Sequence, residues 1–352
     1  MPSSPEPERQ EPGVDIRAVA KRAAFFGVVA VIAIGLIAAL PGVGEIRDRL
    51  ADADPVWIAA CAACALLSMF GFVRALWAAF DRLVPWRRAL ILGFAEQGAN
   101  VLLPAGGAGG PALGALVMKR AGVPGDLAAQ RHAVLFLATS AVSFVALAVA
   151  GLAVAIGVLA GDAPLVGSLV PAVVAIIIMV LAVVAARAKV PREPQGATFT
   201  HTIWRAWTFV HDGLRTTLFV LRRGDRLLIA GAVTYYAFDV AALGAAFQAF
   251  GGGAPPVAEF VLAYTIGHAG ALLPTPGGVG GTEGGLIGMM VVYGAPVDVA
   301  TAAVLAYRVF QLGLPAILGA LSMLRIRALL ADESRRERVA AAFEEAREAG
   351  RL

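Results

Sequence analysis

The sequence predicts an all-α, polytopic membrane protein with six spans and two broken re-entrant hairpins related as an inverted repeat, both termini lying in the cytoplasm. Three observations lead there. Of 352 residues, 59% are hydrophobic and only 15% charged, against about 25% charged in an ordinary soluble domain. Uncharged runs long enough to cross roughly 30 Å of hydrocarbon recur along the chain. Two further apolar regions are each interrupted near the middle by glycine and proline, and the interruptions resemble one another. A soluble chain of this composition would have to bury nearly every face of every helix in one body.

The elements follow in order. Residues 1–22 form a basic cytoplasmic tail whose first 15 residues, rich in Pro, Glu and Ser, read as disordered. The transmembrane domain covers 23–325. Its first span, 23–41, has the core of a signal peptide but no clear small-residue cleavage pattern, so it is taken as retained. The second, 56–80, carries Cys61 and Cys64 in "WIAACAACALLSMF", where small residues suit close helix packing better than redox or metal chemistry. Residues 89–118 are the first broken hairpin, followed by spans at 132–160 and 164–186. Within the next loop, Ile203, Trp207, Val210, Leu214, Leu218 and Leu221 recur at helical spacing beside Arg205, Arg215, Arg222 and Arg223, which predicts an interfacial helix over about 198–223. A span at 227–250, the second broken hairpin at 258–294 and a span at 298–323 complete the domain, and 326–352 reads as an exposed, charged helix.

Charge orients this layout. If both hairpins return to the side they start from and the N-terminus is inside, 25 Lys and Arg residues fall inside and only Arg47 and Arg49 outside, with Arg74 and Arg308 left within spans. That is the positive-inside rule obeyed almost without exception.

The two interruptions align. "LLPAGGAGGPALGAL" (102–116) over "LLPTPGGVGGTEGGL" (272–286) places Pro104 on Pro274, Gly107 on Gly277, Gly110 on Gly280 and Gly114 on Gly284, an offset of 170 residues. "AGVPGDLA" (121–128) then matches "YGAPVDVA" (293–300). A duplicated unit of span, broken hairpin and span results, and the charge count gives its two copies opposite orientations, as in many transporters. Chance similarity between glycine- and alanine-rich stretches is the alternative.

Irregular backbone at membrane depth leaves amide groups unpaired, so it persists only when buried in protein or lining a wet cavity. The glycine turns are therefore expected to face a cavity near the midplane, with Gly277, Gly278 and Gly280 beside Pro274 in one turn, and Gly107 beside Pro104 in the other. Half-helix N-termini aimed at such a cavity favour an anion such as phosphate. Tight packing through small residues competes as an explanation of the glycines.

Ionisable groups inside spans mark candidate function. Glu283 in the second turn is expected to pair with Arg308, next to Tyr307, either as a structural ion pair or as a site where Arg308 takes a lipid phosphate and Glu283 a cationic group or proton. The first half offers Glu96, Gln97 and Asn100, with Arg131 and His132 at the start of the following span, positions that fit a gate or a cap on the inner side. His268 is expected as an interior, hydrogen-bonded histidine, and Arg74 and Asp239 as locally paired or snorkelling groups. No Gly-Lys-Ser/Thr follows the glycine turns, no strand precedes them, and the four histidines form no ligand cluster. No nucleotide, metal or other cofactor and no nucleic-acid partner is expected.

The stretch 272–319, with its Pro-Gly-Gly-x-Gly-x-x-Glu turn (276–283), Gly-x-Pro (294–296) and Tyr-Arg (307–308), resembles the lysylphosphatidylglycerol synthase transmembrane region, also called the flippase-like family. The resemblance extends more loosely over about 25–325. The first half of that family reads Asn-x-x-x-Pro followed by Gly-Glu and a basic residue. Asn100 and Pro104 match, the acidic position is replaced within "GGAGGPALG", and the family's Glu-Arg before the next span appears as Gln130-Arg131. The resemblance implies a protein that flips lipids or lipid-linked groups, and without the aminoacyl-transferase domain the expectation is not the synthase itself.

The function expected is thus a flippase-type transporter, not an enzyme, in the cytoplasmic membrane of a prokaryote. It would move a phosphate-bearing lipid, aminoacylated or polyprenyl-linked among the possibilities. A membrane-embedded lipid-modifying enzyme, using Glu96 with His132 or Glu283 with His268, and a non-transporting scaffold subunit are the alternatives.

Overall fold

The computed structural model describes residues 52–103, 108–161, 164–190, 198–272 and 276–330, together with Ala341 and Glu345. The ten α-helices among the described residues are α1 Pro55–Ala79, α2 Trp86–Leu102, α3 Gly109–Arg120, α4 Gly125–Ala155, α5 Leu165–Arg187, α6 Thr198–Arg222, α7 Arg226–Ala249, α8 Val257–Gly267, α9 Gly281–Val292 and α10 Val297–Leu330. Two short 3-10 turns, His268–Leu272 and Pro276–Gly278, lie between α8 and α9. No strand occurs among the described residues.

Five helices, α1, α4, α5, α7 and α10, are long and apolar enough to cross a membrane. The expected span at 23–41 and the tail before it lie outside the described residues, as does most of the charged segment beyond Leu330. Helix α5 displays what a lipid-facing surface requires. It meets its neighbours through buried Ser168, Ala172, Ala175 and Ala186, while Val166, Val170, Val173, Ile177, Val180 and Leu181 stay exposed. An apolar face that wide is stable only against hydrocarbon, and the chain is a multi-pass membrane protein.

Helix starts are written locally. Asp54 accepts the Val56 amide at 2.8 Å ahead of Pro55, and Asp225 accepts the Leu227 and Leu228 amides at 2.9 and 3.2 Å. Pro85, Pro124, Pro164 and Pro256 occupy the cap positions of α2, α4, α5 and α8. Pro124 thereby starts α4 seven residues earlier than the expected span, so Arg131 and His132 sit inside the helix rather than at its mouth.

Helices α1 and α7 form the central pair and run antiparallel. At one end the Asp54 amide donates to the Ala249 carbonyl at 2.9 Å, and at the other Arg82 pairs with Asp225. Between them Gly231 lets the backbones touch: a methyl there would lie 2.6 Å from the Ala75 amide nitrogen. Hairpin α2–α3 leaves and returns at the Arg82 end, where Phe80, Val84, Met118, Val123 and Leu228 share one apolar cluster. Hairpin α8–α9 leaves and returns at the Asp54 end, with Phe250, Phe260, Tyr293 and Ala295 in another. Each hairpin packs on the last span of the other half, α2 on α10 and α8 on α4.

The hairpin limbs α8 and α9, of 11 and 12 residues, are about 17 and 18 Å long. That is roughly half the hydrocarbon thickness. Gly267 and Gly285 seal them together, since a methyl on Gly267 would come within 2.8 Å of the Gly285 carbonyl oxygen. The glycine cluster therefore divides: Gly285 serves packing, whereas Gly277, Gly278 and Gly280 take φ of 61°, 67° and 88° in the turn itself.

Helix α6 confirms a helix over the predicted amphipathic stretch, but its bundle-facing side is not the apolar stripe. His211, Gly213 and Thr217 are buried toward α4 and α5, with His211 Nε2 2.9 Å from the Ala188 carbonyl oxygen and Gln130 Nε2 donating to Thr216 Oγ1 at 2.8 Å. Trp207, Phe209, Val210 and Phe219 remain exposed. The Cys61 and Cys64 thiols are free, Cys61 buried in the core.

Candidate functional site

The hairpins start from opposite ends of the α1–α7 pair and bring their tips to one cavity of about 180 Å³. Gln97, Asn100 and Val101 line it from the end of α2, and His268, Ala271, Gly277 and Gly278 from the second turn. Helices α1, α7 and α10 close it with Ser68, Asp239, Arg308 and Gln311.

Arg308 organises one wall. Its Nε donates to Glu283 Oε1 at 2.7 Å, one terminal nitrogen donates to the Gly277 carbonyl at 2.6 Å, and the other donates to Gln311 Oε1. The second Glu283 oxygen accepts the Gly280 amide at 2.6 Å, a capping interaction at the start of α9. Glu283 can reach both partners because α9 begins where the turn ends. Gly277 exposes its carbonyl because its left-handed backbone reverses the chain there.

A second polar chain faces Arg308. Gln311 Nε2 donates to His268 Nε2 at 3.2 Å and to Asp239 Oδ2 at 3.4 Å, and Tyr264 donates its hydroxyl to the same Asp239 oxygen at 2.6 Å. The cavity thus carries a guanidinium and a carboxylate joined through one amide. On the first tip, Asn100 Oδ1 accepts the Gly110 amide at 2.7 Å, closing the turn between α2 and α3.

The other candidates are placed elsewhere. Tyr307 is fully buried in the core and does not line the cavity. Pro104, Gly107 and Pro274 lie outside the described residues. Glu96 and His132, far apart in sequence, meet at 2.9 Å, both buried, with His132 Nδ1 2.7 Å from the Ala128 carbonyl oxygen. The second Glu96 oxygen has no hydrogen-bond partner. Gly114 makes room for this pair, because a methyl there would collide with both side chains. Arg131 turns away from both, to Asp81 at 2.9 Å and the Ala79 carbonyl at 3.4 Å.

Sequence reasoning did not single out Gln311, although it stands one turn beyond Arg308 on a span that should carry no polar side chain. Asp239, expected as a locally paired or snorkelling group, is paired with Tyr264 and Gln311 and also lines the cavity. No cluster of metal-ligating side chains occurs among the described residues.

The profile of the family described as Lysylphosphatidylglycerol synthase TM region matches residues 25–319, which includes every element from the first expected span into α10. No curated protein matches the chain.

Proposed function

The chain belongs to the lysylphosphatidylglycerol synthase transmembrane-region family, and from that premise we propose that it is a lipid flippase, moving a phosphate-bearing lipid across the cytoplasmic membrane of a prokaryote through the cavity between the two hairpin tips. The observation that carries this reading is the cavity itself: two hairpins from opposite ends of the bundle meet at a polar chamber holding Arg308 and Asp239. A structural subunit gains nothing from irregular turns and buried charges at that depth, each of which is costly in hydrocarbon.

In the proposed arrangement α1–α4 and α7–α10 are inverted copies, with both termini cytoplasmic. The antiparallel α1–α7 pair and the exchange of hairpins between halves support it, as does the charge count. Alternating access is a rocking of one copy against the other about the cavity. Arg308 receives the lipid phosphate, for which its planar fork is suited. Glu283 balances the Arg308 charge when no lipid is present, and the phosphate displaces that carboxylate. Asp239, opposite in sign, faces a headgroup amine. A wall of both signs favours a lipid carrying both a phosphate and an amine, while acyl or prenyl tails stay in the bilayer. No chemical step is required, and a charged headgroup is driven by its own gradient or by the potential, worth about 2.3 kcal/mol per charge per 100 mV.

The contact between Glu96 and His132 favours the enzyme alternative in one respect, since a carboxylate and an imidazole in hydrogen-bond reach are the elements of acid–base chemistry. Both are sealed behind Gly114 and neither lines the cavity, so a lipid has no route to them.

Reconstitution in liposomes with fluorescent lipids tests the reading. Exposure of headgroups to a membrane-impermeant quencher with lipid mass unchanged is the expected result, lost in Arg308→Ala. A change in lipid mass supports the enzyme, and no protein-dependent exposure removes the flippase.

A further inference from the structure

The turn from α1 to α2 runs through two successive non-glycine residues in left-handed backbone, Asp81 (φ 50°) and Arg82 (φ 61°). Side chains with a Cβ adopt that conformation only against steric resistance. Phe80-Asp81-Arg82 aligns with Phe250-Gly251-Gly252 at the same offset of 170 residues that relates the glycine turns. There Gly251 and Gly252 follow the left-handed path at φ 89° and 86°, with no such resistance. The same turn is therefore made from glycine at one end of the bundle and from strained, charged residues at the other. Strain of this kind persists where the side chains have work to do.

Their surroundings indicate what work. Asp81 and Arg82 border a cavity of about 550 Å³, separate from the one between the hairpin tips, at the junction of α1, α4, α6 and α7. Four arginines line it, Arg82, Arg131, Arg223 and Arg226, against two carboxylates, Asp81 and Asp225. Arg131 is 3% exposed and its Nε has no hydrogen-bond partner, although its terminal nitrogens reach Asp81 and the Ala79 carbonyl. Arg223 is held over the Phe219 ring, 4.9 Å from its centroid. The cavity keeps an excess of guanidinium charge over its two carboxylates, with one buried N–H of Arg131 and one buried oxygen of Asp81 left without hydrogen bonds, and a fork geometry matched to tetrahedral oxyanions.

We propose that this cavity binds a phosphate group, carried by a lipid headgroup or as the free anion. Arg131 is the fixed base of the site and Arg82 the movable arm, which exchanges Asp225 for a phosphate oxygen. Arg223 and Arg226 complete the neutralisation. The site lies at the end of the bundle where the charge count puts the cytoplasm, and its binding is read without any movement of lipid, so it stands or falls separately from transport.

The test uses the full chain purified in a phosphate-free maltoside detergent. Thermal melting is followed with added inorganic phosphate, with short-chain phosphatidylglycerol, and with the matching diacylglycerol, which lacks phosphate. The melting temperature is expected to rise with a phosphate-bearing ligand and not with diacylglycerol. A rise with inorganic phosphate identifies the free anion as sufficient, and a rise only with phosphatidylglycerol identifies the lipid. In the double variant Arg82→Gly and Arg223→Gln the midpoint concentration should increase at least tenfold, while the unliganded protein melts no lower than wild type because glycine relieves the strained turn. Arg325→Gln, an exposed arginine that lines neither cavity, should leave that midpoint unchanged. No rise with either phosphate ligand, or an equal rise in the double variant, overturns the site.

Discussion

Glu283 and Arg308 form a hydrogen-bonded ion pair at 2.7 Å in which the same carboxylate also caps the Gly280 amide at 2.6 Å. One side chain thus neutralises the cavity's cation and starts α9. Glu283→Gln separates the two tasks, since an amide oxygen can still accept the backbone N–H while the charge is gone. Arg308 is then left buried and uncompensated, a loss of about 3–5 kcal/mol. Adding Arg308→Gln should recover part of it. Melting of the two single variants and the double variant in detergent measures the coupling, and strictly additive effects would show that the pair is not an energetic unit.

A second expectation concerns the crossing of α2 with α10. A methyl on Gly98 would stand 2.7 Å from the Gly319 Cα and 2.9 Å from the Pro315 carbonyl oxygen, so neither helix can give way by turning a side chain. Gly98→Ala should destabilise by about 1–3 kcal/mol, as overpacking does. Gly284→Ala, where nothing lies within 4 Å, is the matched control and should melt with wild type. Equal behaviour of the two would contradict the close crossing.

The charge on Asp239 is expected to govern headgroup choice. Asp239→Asn retains an oxygen for the Tyr264 hydroxyl and removes the anion facing Arg308. In the liposome assay it should slow lipids that bear both phosphate and amine by about tenfold, the effect of losing about 1.4 kcal/mol. Purely anionic lipids should be slowed less. The same loss for both classes would assign Asp239 to structure alone.

The halves of this architecture were readable for different reasons. Long apolar runs, the proline and glycine interruptions and the charge asymmetry are local or additive signals, and they placed α1, α4, α5, α7, α10 and both hairpins. The Glu283–Arg308 pair was readable because Glu283 stands in the glycine turn itself and Arg308 is the one Lys or Arg between Arg226 and Arg325. Contacts between distant elements were not. Nothing local ties Glu96 to His132, and their meeting depends on Gly114, a residue whose role is to be absent as a side chain. Arg131 and His132 are neighbours in sequence, but on α4, which begins at Gly125, His132 meets Glu96 while Arg131 meets Asp81, a division the sequence does not reveal. Gln311 drew no notice because a neutral amide changes neither charge count nor hydropathy much, although it connects Arg308 to His268 and Asp239.

Asp81 makes its end of the α1–α7 pair sensitive to pH in a defined direction. Burial pushes its carboxyl above the usual aspartate range, an effect larger than the opposing pull of the Arg131 guanidinium. Because the folded-state value is raised, the folded protein takes up this proton at a higher pH than the unfolded chain does. The resulting stabilisation is complete below the ordinary aspartate value and is lost as pH rises through the raised one. Asp81→Asn imitates the protonated group and should abolish that segment of the profile. The difference in melting temperature, wild type minus Asp81→Asn, should therefore grow as the pH is lowered from neutrality through this window, and Asp225→Asn should not remove the trend. A difference that stays flat, or that shrinks on acidification, would mean that the Arg131 pair outweighs desolvation and that Asp81 is held ionised.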